Sequence, residues 1–338
     1  MAAVGLAALC LTFTVRYGDR SSSPLAVLAA APQIKSAGGA TATTAAPRTL
    51  APVVKVAPAT VTFGVSYGTT LWDGLNRRWR LFLPPQARSA RLPLLVMLHP
   101  AGGEADTFVS ETSMEATAAT YGFATLAPEG VDNTWNAGTC CGAARDKGVD
   151  DVGFVNAMLT RVLTDQPVDA GQVYVAGASN GGMFAYTLAC RLSDRIQAVF
   201  SAGGAQTLGD CHPSTPVTVV EFHSLSDGLV PFYGGVDPKY RADLTDFASM
   251  QSIFRSWASI DQCPTRTVAD AGPGEQVEVW YGCARGTLLE VWLRVTGGGH
   301  EWPTSPAAPV DATRTIAKAI TSHQLVRNAS PSVDPIPA

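Results

Sequence analysis

A chain of 338 residues with 46% hydrophobic and 15% charged residues has enough apolar material for a sizeable core and too few charges for a disordered polymer. Its formal net charge of −4 gives no basic footprint for nucleic acid. No uninterrupted apolar run reaches about 18 residues, which excludes a polytopic membrane protein, and 32 Gly with 23 Pro is ordinary usage, which excludes a collagen-like chain.

The first 32 residues read as a signal peptide or membrane-anchor leader. Met1 to Val15 is apolar and uncharged, and a second apolar patch over 24–32 ends in the small residues Ala29, Ala30 and Ala31, which suit a cleavage site. No Lys or Arg precedes the first patch, so the signal is atypical or the true start lies upstream; the competing reading is a poorly folded cytosolic extension. Cys10 is a weak lipidation candidate because Leu9 stands where a small residue is wanted. Residues 33–58 are rich in Ala, Thr and Pro and carry no hydrophobic period, as a flexible linker does. The expected organisation is leader 1–32, linker 33–58, catalytic domain 59–328 and flexible tail 329–338. The corresponding location is secreted, with cell-envelope anchoring through the N-terminus as a variant of it.

Within the domain, strands are predicted over 61–67, 79–83 and 92–98. The third, L-P-L-L-V-M-L, is near-continuously apolar, as expected of a strand buried on both faces of a parallel sheet. A helix over 110–121 and a strand over 123–127 follow. Asp150 or Asp151 can cap a helix on which Val152, Val155, Leu159 and Val162 recur at spacings of three and four. That capping role explains the two acids better than a metal does, so no metal site is expected. Then come strand 173–176, helix 181–191, strands 198–201 and 217–222, helix 246–260, strand 288–295 and helix 311–323. Strands alternating with helices predict an α/β fold: a doubly wound, mostly parallel sheet with helices on both faces.

The strand at 173–176 runs directly into Gly177-Ala-Ser179-Asn-Gly181, a G-x-S-x-G on a strand-to-helix junction. Such a turn lifts a serine hydroxyl clear of the sheet, and the following amide, that of Asn180, faces a developing oxyanion. Ser179 is therefore the candidate nucleophile. A serine needs a base oriented by an acid, and on this arrangement the chain order is Ser, acid, His. His300 follows the 288–295 strand in a loop with three glycines and is the candidate base; His323 and His212 sit in polar, loop-like or tail contexts. Asp227 follows the 217–222 strand and is the candidate acid, better placed than Asp210, Asp237 or Asp243. His223 and His99 read as structural. The second oxyanion donor belongs in the loop after the third strand: Ala101 first, then Gly102, since Pro100 has no N–H.

There are seven cysteines, and removing Cys10 with the leader leaves an even six. Cys190 and Cys211 are candidates to pair, as are Cys263 and Cys283, which flank a Pro/Gly-rich excursion. For the neighbours Cys140 and Cys141 a vicinal disulfide, partners elsewhere and free thiols all remain open. Such usage fits an oxidising compartment.

The segments H-P-A-G-G at 99–103, T-W-N-A-G-T-C-C-G at 134–142, V-D-D-V-G-F at 149–154, G-A-S-N-G-G-M at 177–183, H-S-L-S-D-G-L-V-P at 223–231 and G-G-G-H-E-W-P at 297–303 together resemble the secreted polyhydroxybutyrate depolymerase-like and feruloyl or acetylxylan esterase family, carbohydrate esterase family 1. The resemblance covers roughly 60–325 in unbroken motif order. It implies an α/β-hydrolase fold, no cofactor, and a triad carried over to Ser179, Asp227 and His300. The family usually has H-G where this chain has His99-Pro100 and His223-Ser224.

The expected activity is hydrolysis of carboxylic esters, feruloyl or acetyl esters of plant polysaccharide, through an acyl-enzyme. A depolymerase of short-chain polyhydroxyalkanoates is the alternative, and a non-catalytic carbohydrate-binding module is the alternative of another class. Trp135, Trp302, Phe232 and Tyr233 flank the motif loops and are candidates for an aromatic wall against the substrate. The expected partner is the ester substrate alone, with no nucleic acid and no stable membrane insertion of the catalytic domain. Oligomeric state is not readable from the sequence.

Overall fold

The computed structural model describes residues 61–236, 245–304 and 308–322. The expectations for the leader, the linker, the tail, Cys10, Asp237, Asp243 and His323 lie outside the described residues. Ten strands form one sheet in the order β1-β2-β4-β3-β5-β6-β7-β10-β9-β8. Its centre is parallel: β3 (Leu92–Leu98) pairs in parallel with β4 (Ala124–Pro128) and β5 (Val168–Ala178), and the parallel pairing continues through β6 (Ala198–Ala202) and β7 (Thr218–Ser224) to β10 (Leu289–Arg294). The two flanks are antiparallel: β1 (Gly64–Trp72) with β2 (Leu75–Leu83) on one side, and β8 (Thr265–Gly272) with β9 (Glu275–Tyr281) on the other.

The α/β expectation holds at the centre, where both faces are covered. On one face Leu94, Val96 and Leu98 of β3 pack with α4 (Asp151–Asp165), α5 (Asn180–Arg191) and α6 (Met250–Ile260). On the other, Leu95, Met97, Phe200 and Phe222 pack with α1 (Ala105–Glu111), α2 (Met114–Tyr121) and α7 (Ala312–Thr321). That two-sided burial is why β3 lacks the polar alternation of a half-exposed strand.

Three expectations need correction. The helix predicted over 110–121 is two helices, because Ser113 takes φ 52 and interrupts the ladder. Helix α6 begins at Met250, four residues later than predicted, where the Ser249 side chain accepts from the Ser252 N–H. The Pro/Gly-rich excursion between Cys263 and Cys283 is the β8–β9 hairpin; Gly272 and Gly274, at φ 127 and 76, turn it around Pro273. A short helix α3 (Gly142–Asp146) was also unpredicted.

The capping prediction resolves residue by residue. Asp150 caps α4, accepting from Gly153 N–H at 2.9 Å, and takes the Trp72 indole N–H at 2.9 Å. Asp151 is buried and instead pairs with Arg77 at 2.7 Å while accepting from Asn136 N–H at 2.8 Å. Burial pushes its carboxyl up, against Arg77 and that amide.

Six cysteines form three disulfides: Cys190–Cys211, Cys263–Cys283 and the vicinal Cys140–Cys141. The first joins the last turn of α5 to the loop before β7, and the second closes the base of the β8–β9 hairpin. Loops of 21 and 20 residues each correspond to about 3 kcal/mol in the chain-entropy account. Alkylation of protein purified without reductant should leave these six cysteines unlabelled by intact mass. Four or more labelled would contradict the three bridges.

Candidate active site

Ser179 stands between β5 and α5 with φ 54 and ψ −122, a left-handed turn that a non-glycine residue adopts only where its surroundings enforce it. Its N–H donates to Ala202 O at 2.8 Å and its carbonyl accepts from Met183 N–H at 2.9 Å. The flanking glycines are required by close approach. A Cβ on Gly177 would lie 2.3 Å from Gly181 O, and one on Gly181 would lie 2.2 Å from Leu98 O. The elbow thus sits directly against the end of β3, which brings the loop after β3 alongside Ser179.

That loop is fixed from below by His99. Its Nε2 accepts from Gly130 N–H at 2.9 Å, so Nδ1 carries the hydrogen and donates to Pro100 O at 2.9 Å. Burial pushes its pKa down, which keeps the imidazole neutral. Within the loop, Gly102 N–H is given to Asn133 O at 2.8 Å and Gly103 N–H to Pro100 O at 2.9 Å. Gly102, the second-choice oxyanion donor, is therefore engaged, whereas Ala101 lines the pocket beside Ser179. Asn180 is the first residue of α5, where a backbone N–H has no intrahelical acceptor. Its side chain is committed elsewhere, clasping Trp135 N at 2.7 Å and Trp135 O at 3.0 Å.

Asp227 follows β7 and is buried. Its Oδ1 accepts from the N–H groups of Leu229 and Val230, each at 2.9 Å, and its Oδ2 accepts from His300 Nδ1 at 2.8 Å. Burial alone raises a carboxyl, but the hydrogen bond and charge of His300 and the Val230 amide hold Asp227 below the ordinary carboxylate range. With the hydrogen on Nδ1, the neutral His300 ring keeps a lone pair on Nε2. Gly203 passes so close that a Cβ there would meet His300 Nδ1 at 3.1 Å and Asp227 Oδ2 at 3.3 Å.

Ser179, His300 and Ala101 open onto one pocket of about 520 Å³, walled also by Phe108, Leu229 and Trp302. Of the four predicted wall aromatics, Trp302 lines it; its indole donates to Thr313 Oγ1 at 3.0 Å and its ring meets Phe108 edge-on at 5.4 Å. Trp135 is a correction: it is fully buried, stacked on Phe184 at 5.2 Å, with its indole N–H on His99 O. Phe232 is a second, buried against Phe254 and His223. Tyr233 is exposed and lies edge-on to Phe232 at 5.3 Å. Phe108 and Leu229 were missed. Phe108 precedes the predicted helix start, and Leu229 reads as one more apolar residue in the acid loop. Among the described residues no group of three His, Cys, Asp or Glu is placed to hold a metal.

A central parallel sheet with these loops gathered at its carboxyl ends is an α/β-hydrolase fold. Residues 77–242 match the profile of the family described as esterase PHB depolymerase. Feruloyl esterase B of Piromyces equi is 28% identical over 219 residues, 62% of this chain and 39% of that protein. The putative esterase NocK of Nocardia uniformis subsp. tsuyamanensis is 28% identical over 255 residues, 70% of this chain and 74% of that protein. A probable feruloyl esterase C of Aspergillus niger is 30% identical over 187 residues, 52% and 65% of the two chains. The chain thus spans well under half of the Piromyces protein. Among solved structures, the acetyl xylan esterase from Aspergillus awamori superposes with TM-score 0.53 at 13% identity, covering 72% of this chain and 96% of that one. The native structure of pOPH superposes with TM-score 0.52 at 14% identity, covering 82% and 93%. At such identities the superpositions speak for the fold alone.

Proposed function

We propose that this protein is an exported serine esterase that hydrolyses feruloyl or acetyl esters of plant polysaccharide through Ser179, His300 and Asp227. The observation that carries the reading is the 2.8 Å His300–Asp227 hydrogen bond in the pocket that Ser179 lines. His300 Nε2 takes the Ser179 hydroxyl proton as Oγ attacks the ester carbonyl. The amides of Asn180 and Ala101 receive the oxyanion, and Asp227 stabilises the imidazolium. Collapse expels the alcohol, protonated by His300, and leaves an acyl-Ser179. Water, deprotonated by His300, then attacks the acyl carbon and releases the acid and the free serine.

The substrate side rests on two features. The edge-on pair Phe108 and Trp302 gives an aromatic ring a wall. A second cleft of about 580 Å³ adjoins the pocket, sharing Glu111, Thr112 and Thr304 with it, and extends past Thr117, Thr120 and Tyr121. Hydroxyl-bearing walls suit the hydroxyls of a sugar chain better than a polyester. The family's description favours a second reading, a depolymerase of short polyhydroxybutyrate esters. Turnover of methyl ferulate, acetylated xylan and hydroxybutyrate oligomers separates the two: kcat/KM should be highest on one of the first two. A tenfold preference for the oligomers overturns the polysaccharide assignment.

Three disulfides support folding in an oxidising compartment. No described helix is long and apolar enough to cross a membrane. A histidine base works only as neutral imidazole, and imidazole ordinarily titrates at about 6.5. We therefore expect kcat/KM to rise with pH along a single ionisation and then level off. A bell with a second, alkaline limb below about pH 9 would contradict a mechanism in which no group must stay protonated for attack.

A further inference from the structure

Behind the acid loop lies a second carboxylate–imidazole pair that ester hydrolysis leaves without a task. Glu221 and His223 stand two apart on β7, on one face of the sheet, and both side chains are fully buried. His223 Nδ1 lies 3.0 Å from Glu221 Oε1, and Nε2 lies 2.9 Å from Val230 O. A carbonyl only accepts, so Nε2 carries a hydrogen in either charge state, and the mobile proton is the one between Nδ1 and Glu221. Tyr186 of α5 donates to the other oxygen of Glu221 at 3.1 Å.

The pair touches the acid loop twice. His223 holds the carbonyl of Val230, whose N–H is held by Asp227 Oδ1. His223 Nε2 also lies 3.7 Å from Asp227 Oδ2, the oxygen that receives His300 Nδ1 at 2.8 Å. One carboxylate oxygen therefore stands between two imidazoles. Glu275, Arg294 and Glu301 line a small cavity with His223, and Arg294 is paired there with Glu301 at 2.7 Å. Burial works against a charge on His223. The hydrogen bond and charge of Glu221, then the charge of Asp227 and the Val230 carbonyl, outweigh it and hold His223 above the ordinary imidazole range.

We propose that Glu221 and His223 are a positioning pair for Asp227: the imidazolium anchors the acid loop through Val230 and draws part of the Asp227 charge away from His300. The inference rests on His300 being the base of the proposed mechanism. Its consequence is directional. Without the positive charge on His223, Asp227 serves His300 alone, His300 keeps its proton to higher pH, and the acid limb of kcat/KM moves upward. A pair that only packs the core would change stability or plateau rate and leave the limb where it was.

The test is the pH profile of Glu221→Gln. The amide keeps the shape, can accept from Tyr186 and donates to Nδ1, which fixes His223 neutral. The acid limb should move up by about one pH unit. Tyr186→Phe removes a donor to Glu221, weakens the anion and should move the limb the same way by less. A Glu221→Gln protein that melts cooperatively, titrates fully with a fluorophosphonate and keeps the parent limb overturns the proposal. If that variant does not fold, an unmoved limb in Tyr186→Phe overturns it. His300→Gln separates the two levels. A His300→Gln enzyme with the parent rate and limb removes the base assignment and this inference with it. An inactive one beside an unmoved Glu221→Gln limb removes only the inference.

Discussion

Ser179→Ala is expected to cut kcat by about 10³ to 10⁶ while leaving the melting temperature within a few degrees of the parent. The two halves of that expectation have separate causes. The Ser179 side chain makes no cap hydrogen bond to α5, so its hydroxyl does not hold the elbow. The elbow is held by backbone bonds, Ser179 N–H to Ala202 O and Met183 N–H to Ser179 O, and by the glycine contacts on either side, all of which alanine preserves. The left-handed φ of 54 is no worse for alanine than for serine. What disappears is the oxygen that attacks in the proposed mechanism. Any remaining rate comes from the oxyanion amides acting on water. A fluorophosphonate should label the parent and not the variant, and labelling that persists in Ser179→Ala would show that another residue carries the nucleophile.

The parts of this molecule that could be read from the sequence are those determined within a few residues of chain. The apolar run of β3 announces burial on both faces, because each of its side chains must face a helix layer. Gly177-x-Ser179-x-Gly181 announces a close crossing, and the 2.2 Å and 2.3 Å clashes that any Cβ would make give the reason. Asp227 and His300 were placeable because each directly follows a strand end on the same edge of a parallel sheet. The parts that could not be read depend on what lies opposite. Trp135 sits in a motif loop like Trp302, but the Asn180 amide clasps its backbone and turns the ring into the core. Nothing local to Thr134 or Asn136 encodes that. Phe232 was lost to the core for the same reason. The β8–β9 hairpin is a different case. T-R-T-V-A and E-Q-V-E-V-W-Y alternate about a G-P-G turn, a pairing signal that the flanking cysteines and the Pro/Gly content obscured. Glu221 and His223 were hidden inside an apolar strand, where a polar pair is explained only by partners on α5 and in the acid loop.

Asp261→Asn should raise the melting temperature clearly more at pH 8 than at pH 5, where only about a third of the penalty is present. Asp261 ends α6 at 1% exposure, two residues before the Cys263–Cys283 bridge. Burial pushes its carboxyl up to about 7, against hydrogen bonds from the Val217 backbone and the Thr287 hydroxyl, and its Oδ1 has no partner. In the unfolded chain an aspartate titrates at about 3.9. The folded-state value is the higher one, so the contribution of this proton to stability is complete below about pH 4 and is lost as pH rises through about 7. At pH 8 the folded protein must bury an unsatisfied charge, a cost of at most about 4 kcal/mol for a shift of this size. Asparagine keeps an acceptor for Val217 and Thr287 and carries no charge at any pH. The gain at pH 8 should therefore be several degrees, at about 2–4 °C per kcal/mol for a domain of this length. Thermal unfolding of both proteins at pH 5 and pH 8 decides the matter. An equal shift at the two pH values would mean that Asn alters packing and not titration, and a loss at pH 8 would mean that the Asp261 carboxylate is satisfied in the folded protein and titrates low.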